Sequence, residues 1–399
     1  MSKMQYFKSP ILFAAILSAL VLMPSCEKGI LEGPGGILSN AKQFDIDVFQ
    51  DNIETGLGAQ WAGYAYAISQ NGQLKRSGAF GKRRAASDGN ADFEIDSPVY
   101  GASVNKVMTA VAMLKILEEK GNGDASFWLN AKVYPFLPPN WTFGPNTDNI
   151  TFRNLLQHRS GLAVDDPIDY AGIRTMIATG TPADKSYEYS NANYALLRIL
   201  IARMSGNAGS GNINDDDAQA SAVLSGFRRY METKIFDPLD IEVDTKPFGS
   251  NPALYYQWGA LSNGWNMGDM TGRLGNGGFY FSAVGAAKFL AYLNHTEDIV
   301  SKDTRELMYD NFLGWSDGGQ PENEPEGDYG AYYYKGGSFC NNTDNGACNG
   351  QGVRNIIAAF PHNGVEVVVM GNSRGGNMDS SSGLRSMLRN AYDDAWVKK

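Results

Sequence analysis

Ser103-Val104-Asn105-Lys106 opens a long apolar run, Tyr189-Ser190-Asn191 opens a second, and Lys335-Gly336-Gly337-Ser338 follows the tyrosine run Tyr332-Tyr333-Tyr334. On a helix, positions i and i+3 share a face, so the first spacing brings the Ser103 hydroxyl and the Lys106 amine within reach of each other. That sets a base beside a nucleophile. A serine attacks poorly until its proton is taken, and a lysine takes it only where burial or a nearby cation favours the neutral amine. Val104, Val107, Met108, Val111, Leu114 and Leu117 recur at helical spacing, and Glu118-Glu119-Lys120-Gly121 makes a polar end. The spacing predicts a mostly buried helix that Ser103 opens, with its positive end favouring an oxyanion.

Taken singly, each motif has a plainer explanation. Ser103 can be an N-cap, Tyr189 a packing aromatic, and Lys335-Gly336-Gly337 a strand end. Together they supply a complete constellation. Tyr189 lies on a loop entering the apolar helix Ala195–Ile201, where its hydroxyl can exchange a proton with a serine, while Asn191 can fix a substrate amide or the lysine. The tyrosine run and the two glycines read as an edge strand beside a cleft. A substrate backbone can approach such a strand, and the N–H of Ser338 can join that of Ser103 as an oxyanion hole.

This order of motifs resembles the serine β-lactamase and penicillin-binding family, in particular its class C β-lactamase, D-Ala-D-Ala carboxypeptidase and related esterase branch. Ile150–Leu162, Trp128–Pro138 and Gly275–Ala283 are similar to further family segments, so the resemblance spans about residues 50 to 395. It implies an α+β fold: an antiparallel sheet flanked by helices, with an inserted, mostly helical lobe and the site between them. It implies Ser103 as nucleophile, Lys106 and Tyr189 as the proton-transfer pair, and Asn191, Lys335, Gly336, Gly337 and Ser338 as substrate-binding positions. No metal or cofactor is implied. Gly336 stands where the lactamases usually carry threonine, which removes one side-chain contact to a substrate carboxylate. Cys340–Cys348 looks like an insertion beside the cleft rim.

Other chemistries find little support. The chain has three histidines, His158, His295 and His362, and no H-E-x-x-H zinc pair or Walker A loop. The histidines read as structural or exposed, and Asp215-Asp216-Asp217 as a solvated loop rather than a calcium site. The formal net charge of −9 argues against nucleic acid or anionic lipid as partner.

Lys3 and Lys8 precede the apolar run Ile11–Met23 and then Pro24-Ser25-Cys26. This resembles a bacterial lipoprotein signal over residues 1–25, with Cys26 lipidated, a Gly/Pro-rich tether over 26–40, and an extracytoplasmic enzyme attached to the membrane through the lipid. Ordinary signal-peptidase cleavage and a retained anchor are the alternatives. Cys340 and Cys348 flank a short polar loop, and an oxidising compartment would let them bridge.

Residues 41–399 read as one domain, with sheet halves at about 41–100 and 300–399 and the helical lobe at about 103–285. Trp61–Ser69 and Leu74–Lys82 form one expected hairpin around Asn71-Gly72, Val353–Pro361 and Val365–Met370 a second, and Leu384–Val397 a closing helix. The expectation is therefore a serine hydrolase acting on a D-amino-acid peptide, a β-lactam or a small ester. The alternative is a catalytically silent, surface-anchored binding protein of the same fold.

Overall fold

In the strand Val365–Gly371 the side chains alternate between two apolar layers, as the two-residue period of a strand requires. Val365, Val367 and Val369 face the helices Ile46–Leu57 and Gly383–Asp394, meeting Phe49, Ile53, Leu388 and Tyr392. Val368 and Met370 face the larger cluster, which holds Phe289 and Leu293 of the helix Ala283–His295 and the apolar side chains of Asn105–Lys120. A sheet with helices on both faces follows from this pattern alone.

The computed structural model describes residues 42–164, 167–208, 212–315, 328–341, 343–344, 347–348, 350–374 and 383–398. The expected signal peptide, Cys26 and the tether lie outside the described residues, as does the side chain of Cys348.

From one edge the main sheet runs Tyr333–Cys340, Gly352–Phe360, Val365–Gly371, Gly63–Gln70, Gln73–Arg84, all antiparallel. Gly63–Gln70 and Gln73–Arg84 are joined by Asn71 and Gly72 with φ of 52° and 74°. Two left-handed residues in a two-residue loop match the twist of the strands, which is why Asn-Gly marks this hairpin. Val365 pairs with Gln70 and Gly371 with Tyr64, so strands from the two ends of the chain meet in the centre of the sheet.

Three details depart from the sequence pattern. Tyr256–Gln257, within the span assigned to the helical lobe, is a short strand, and Tyr256 pairs with Gly352 in the main sheet. The closing helix ends at Asp394 rather than continuing to Val397. Trp396–Lys398 instead pairs with Lys42–Phe44, where the rings of Phe44 and Trp396 meet edge-on at 5.7 Å. The acidic run is not a solvated loop: Asp215 caps the helix Asp216–Met231 by accepting from Ala218 N, and Asp216 pairs with Arg174 at 2.8 Å.

Candidate active site

The turn that carries Ser103 is built against glycine. Gly337 of the edge strand packs so closely on it that a Cβ there would stand 2.6 Å from the Gly101 carbonyl oxygen and 3.2 Å from Val104 N. Opposite Gly337 in the register lies Asn355, fully buried, whose Nδ2 donates to Tyr100 O at 2.9 Å and whose Oδ1 accepts from Gly371 N at 3.2 Å. A buried amide satisfied on both sides fixes the strand to the residue that precedes the turn. Ala102 is left with φ of 47°, a left-handed conformation that a residue with a side chain adopts at a cost of about 1 kcal/mol or more. Ser103 itself sits in a single 3-10 turn, Ala102–Val104, which runs straight into the helix Asn105–Lys120.

The sequence-predicted residues converge here. Ser103 Oγ accepts hydrogen bonds from Lys106 Nζ and from Tyr189 OH, each at 2.9 Å. Lys106 is fully buried, and its ammonium group also donates to Asn191 Oδ1 at 2.9 Å and to Asn276 O at 2.8 Å. Three donors thus meet three acceptors, which aims the amine. Asn191 begins the helix Asn191–Met204, for which Ser190 is the cap through its bond from Ala192 N. Lys335 is also fully buried, its ammonium 5.1 Å from the centroid of the Tyr189 ring, while that of Lys106 lies 5.2 Å from it. Two cations beside one phenol create a positive field that favours negative charge developing between them. Gly336 and Gly337 follow Lys335 along the strand, and Ser338 faces Arg354 in the register.

His158 forms a second layer that the motifs alone do not predict. It is buried with φ of 56°, and its ring lies 4.4 Å from that of Tyr189 and 5.1 Å from that of Tyr194. Burial, reinforced by the cations Lys335 and Lys106, holds its imidazole well below the usual range, so the ring is neutral. The Nδ1 atom lies 3.3 Å from Ser190 N, which donates to it, while His158 O accepts from Glu188 N at 2.8 Å. The backbone on both sides of Tyr189 is therefore fixed by one histidine. The signal available in the sequence was its position in the Ile150–Leu162 segment.

A second turn completes the site. Arg198, fully buried, donates to Gly272 O and Leu274 O at 3.0 Å each and to Ile168 O at 3.1 Å. Thr109 Oγ1 donates to Gly275 O at 2.7 Å, and Asn276 O receives Lys106. Glycine is required at 275, where φ is 93° and a Cβ would meet Tyr194 O at 2.5 Å.

A serine, a buried lysine and a tyrosine joined at one hydroxyl, between an antiparallel edge strand and a helical layer, define the class of serine hydrolases that transfer acyl groups without histidine as base. The chain belongs to the Beta-lactamase family, whose model matches residues 49–391. No curated protein matches it. Among solved structures it is similar to FmtA from Staphylococcus aureus, with 16% identity over 91% of this chain and 92% of that one and a TM-score of 0.63. The D-amino acid amidase from Ochrobactrum anthropi SV3 matches with 17% identity over 88% and 99% and a TM-score of 0.62. The Beta-lactamase/D-alanine carboxypeptidase from Yersinia pestis matches with 17% identity over 87% and 96% and a TM-score of 0.60. At such identities these likenesses concern the fold.

Proposed function

We propose that this chain is an extracytoplasmic serine hydrolase that forms an acyl-enzyme on Ser103 with an amide or ester, one that carries no carboxylate on its leaving side being favoured over a β-lactam. The observation that carries the reading is the single hydroxyl, Ser103 Oγ, held 2.9 Å from both Lys106 Nζ and Tyr189 OH. For attack the Lys106–Tyr189 pair must hold one proton fewer than its full complement, with either the amine neutral or the phenol ionised, and that group takes the Ser103 proton as Oγ bonds to the substrate carbonyl carbon. The carbonyl electrons move onto its oxygen, facing the N–H groups of Ser103 and Ser338. Collapse expels the amine or alcohol, which receives the proton from the same pair. Water then attacks the ester by the same route and restores Ser103. Asn191 holds Lys106, and Lys335 orients the substrate.

Gly336 lacks the hydroxyl that would meet the carboxylate of a lactam or of a C-terminal D-residue, so it favours esters and amides that carry no carboxylate on the leaving side. Two fold neighbours, a D-amino acid amidase and a Beta-lactamase/D-alanine carboxypeptidase, support an amide substrate without separating peptides from β-lactams. Lipid attachment at Cys26 accords with the N-terminal pattern. Pairing of Cys340 with Cys348 accords with that compartment.

The test is turnover of D-alanyl peptides, short-chain nitrophenyl esters and a fluorescent penicillin by the purified protein and by Ser103→Ala. The reading expects turnover or labelling that Ser103→Ala abolishes. Tight ligand binding unchanged in Ser103→Ala, without turnover in either protein, would replace it with the silent binding protein.

A further inference from the structure

Arg273 projects from the most tightly held turn of the site. Its own backbone is fixed at both ends, with N–H donating to Met270 O at 2.9 Å and O accepting from Gly277 N at 2.8 Å. The neighbouring carbonyls of Gly272 and Leu274 are gripped by the buried Arg198, and the turn continues to Asn276, whose carbonyl holds Lys106. A Cβ on Gly277 would lie 2.5 Å from Tyr100 OH, so the turn abuts the residues that lead into Ser103.

The guanidinium carbon of Arg273 lies 4.4 Å from the centroid of the Phe339 ring. Among the described residues, that ring is the contact its half-buried side chain makes: it donates no side-chain hydrogen bond and meets no carboxylate. Phe339 directly follows Ser338 on the edge strand, and its ring also touches Trp265 at 6.2 Å. Lys335 and Phe339 therefore flank the oxyanion position from opposite sides along one strand. Lys335 lies beside Tyr189; on the acyl-enzyme reading, with the leaving group on that side, the acyl part of an added substrate strand would run past Phe339 and Arg273. A planar cation stacked on an aromatic ring keeps its in-plane N–H donors for a carboxylate. The rigid turn means that little ordering is needed on binding.

We propose that Arg273 is a specificity-determining residue that pairs with a carboxylate carried on the acyl side of the substrate. This rests on the acyl-enzyme reading for its chemistry, yet the pairing itself can be measured without it. The experiment compares mono-4-nitrophenyl adipate with 4-nitrophenyl hexanoate, esters of equal chain length that differ in the terminal carboxylate. Measurements use the full protein, Arg273→Leu and Arg273→Lys, with thermal midpoints recorded alongside.

The expected result is a kcat/KM ratio favouring adipate by about tenfold or more. That ratio falls to near one in Arg273→Leu, is partly restored in Arg273→Lys, and shrinks with added salt, the change residing in KM. A wild-type ratio near one, or a preference that survives in Arg273→Leu, overturns the proposal. Equal losses on both esters together with a lowered thermal midpoint would show a structural arginine and also overturn it. Calorimetric binding of free adipate against hexanoate to Ser103→Ala, with and without Arg273→Leu, reads the same pairing with no chemistry. Failure of ester turnover would count against the acyl-enzyme reading, whereas equal calorimetric binding of adipate and hexanoate to Ser103→Ala, or an adipate preference that survives Arg273→Leu, would count against Arg273.

Discussion

His158 makes folding stability depend on pH with a sign and size that follow from its surroundings. Its ring is buried against Tyr189 and Tyr194 and held neutral by burial and by the nearby Lys335 and Lys106. In the unfolded chain the same imidazole takes up a proton below about pH 6.5. Because the unfolded state binds more protons in that window, acidification below about 6.5 removes stability, and the loss continues for as long as the folded ring stays neutral. The slope approaches about 1.4 kcal/mol per pH unit, and between pH 7.5 and 5 the loss sums to about 2 kcal/mol. Carboxylates contribute their own pH dependence, so the quantity to read is a difference. Urea denaturation of the protein and of His158→Gln, across that range, should show the variant less stable at pH 7.5 and the gap closing by about 2 kcal/mol at pH 5. A gap that stays constant with pH would mean that the folded imidazole protonates as freely as the unfolded one.

Gly337→Ala should reduce activity by about a hundredfold while the protein still folds, because the added Cβ would stand 2.6 Å from Gly101 O and push the Ser103 turn out of line; kcat beside the thermal midpoint checks it. Asn355→Val strands Tyr100 O and Gly371 N and should cost about 2–4 kcal/mol in denaturant unfolding. Phe49→Ala, far from the site in the layer with Phe360 and Tyr392, should cost about 3–5 kcal/mol of stability and leave KM unchanged under conditions where the variant is folded.

The nucleophile, its lysine and the tyrosine were legible because their chemistry depends on local spacing: i to i+3 on one helix turn, a loop entering a second helix, and a glycine pair on a strand. The two long hairpins were legible for the same reason, since Asn71-Gly72 and Asn363-Gly364 punctuate alternating apolar runs. What stayed hidden depends on contacts between distant segments. Asn355 reads as one polar residue in an apolar strand until the register sets it opposite Gly337 and beneath Tyr100. Asn276 contributes a backbone carbonyl, which no side-chain pattern reveals. Trp396–Lys398 continues the apolar spacing of the last helix, but Lys42–Phe44 from the other end of the described chain offers it a strand partner. His158 is one residue in a segment noted for its likeness to the family, and its stacking on Tyr189 becomes visible when residues 158 and 189 are brought together.

The central claim is that Ser103 carries the acyl group. The most direct test is to mix the protein with a slowly hydrolysed ester, quench in acid during turnover, and map the mass increment by peptide mass spectrometry. One acyl group per chain is expected on the peptide containing Ser103, absent in Ser103→Ala and accumulating slowly in Lys106→Met. Turnover with the acyl group on another residue, or turnover retained in Ser103→Ala, would contradict it.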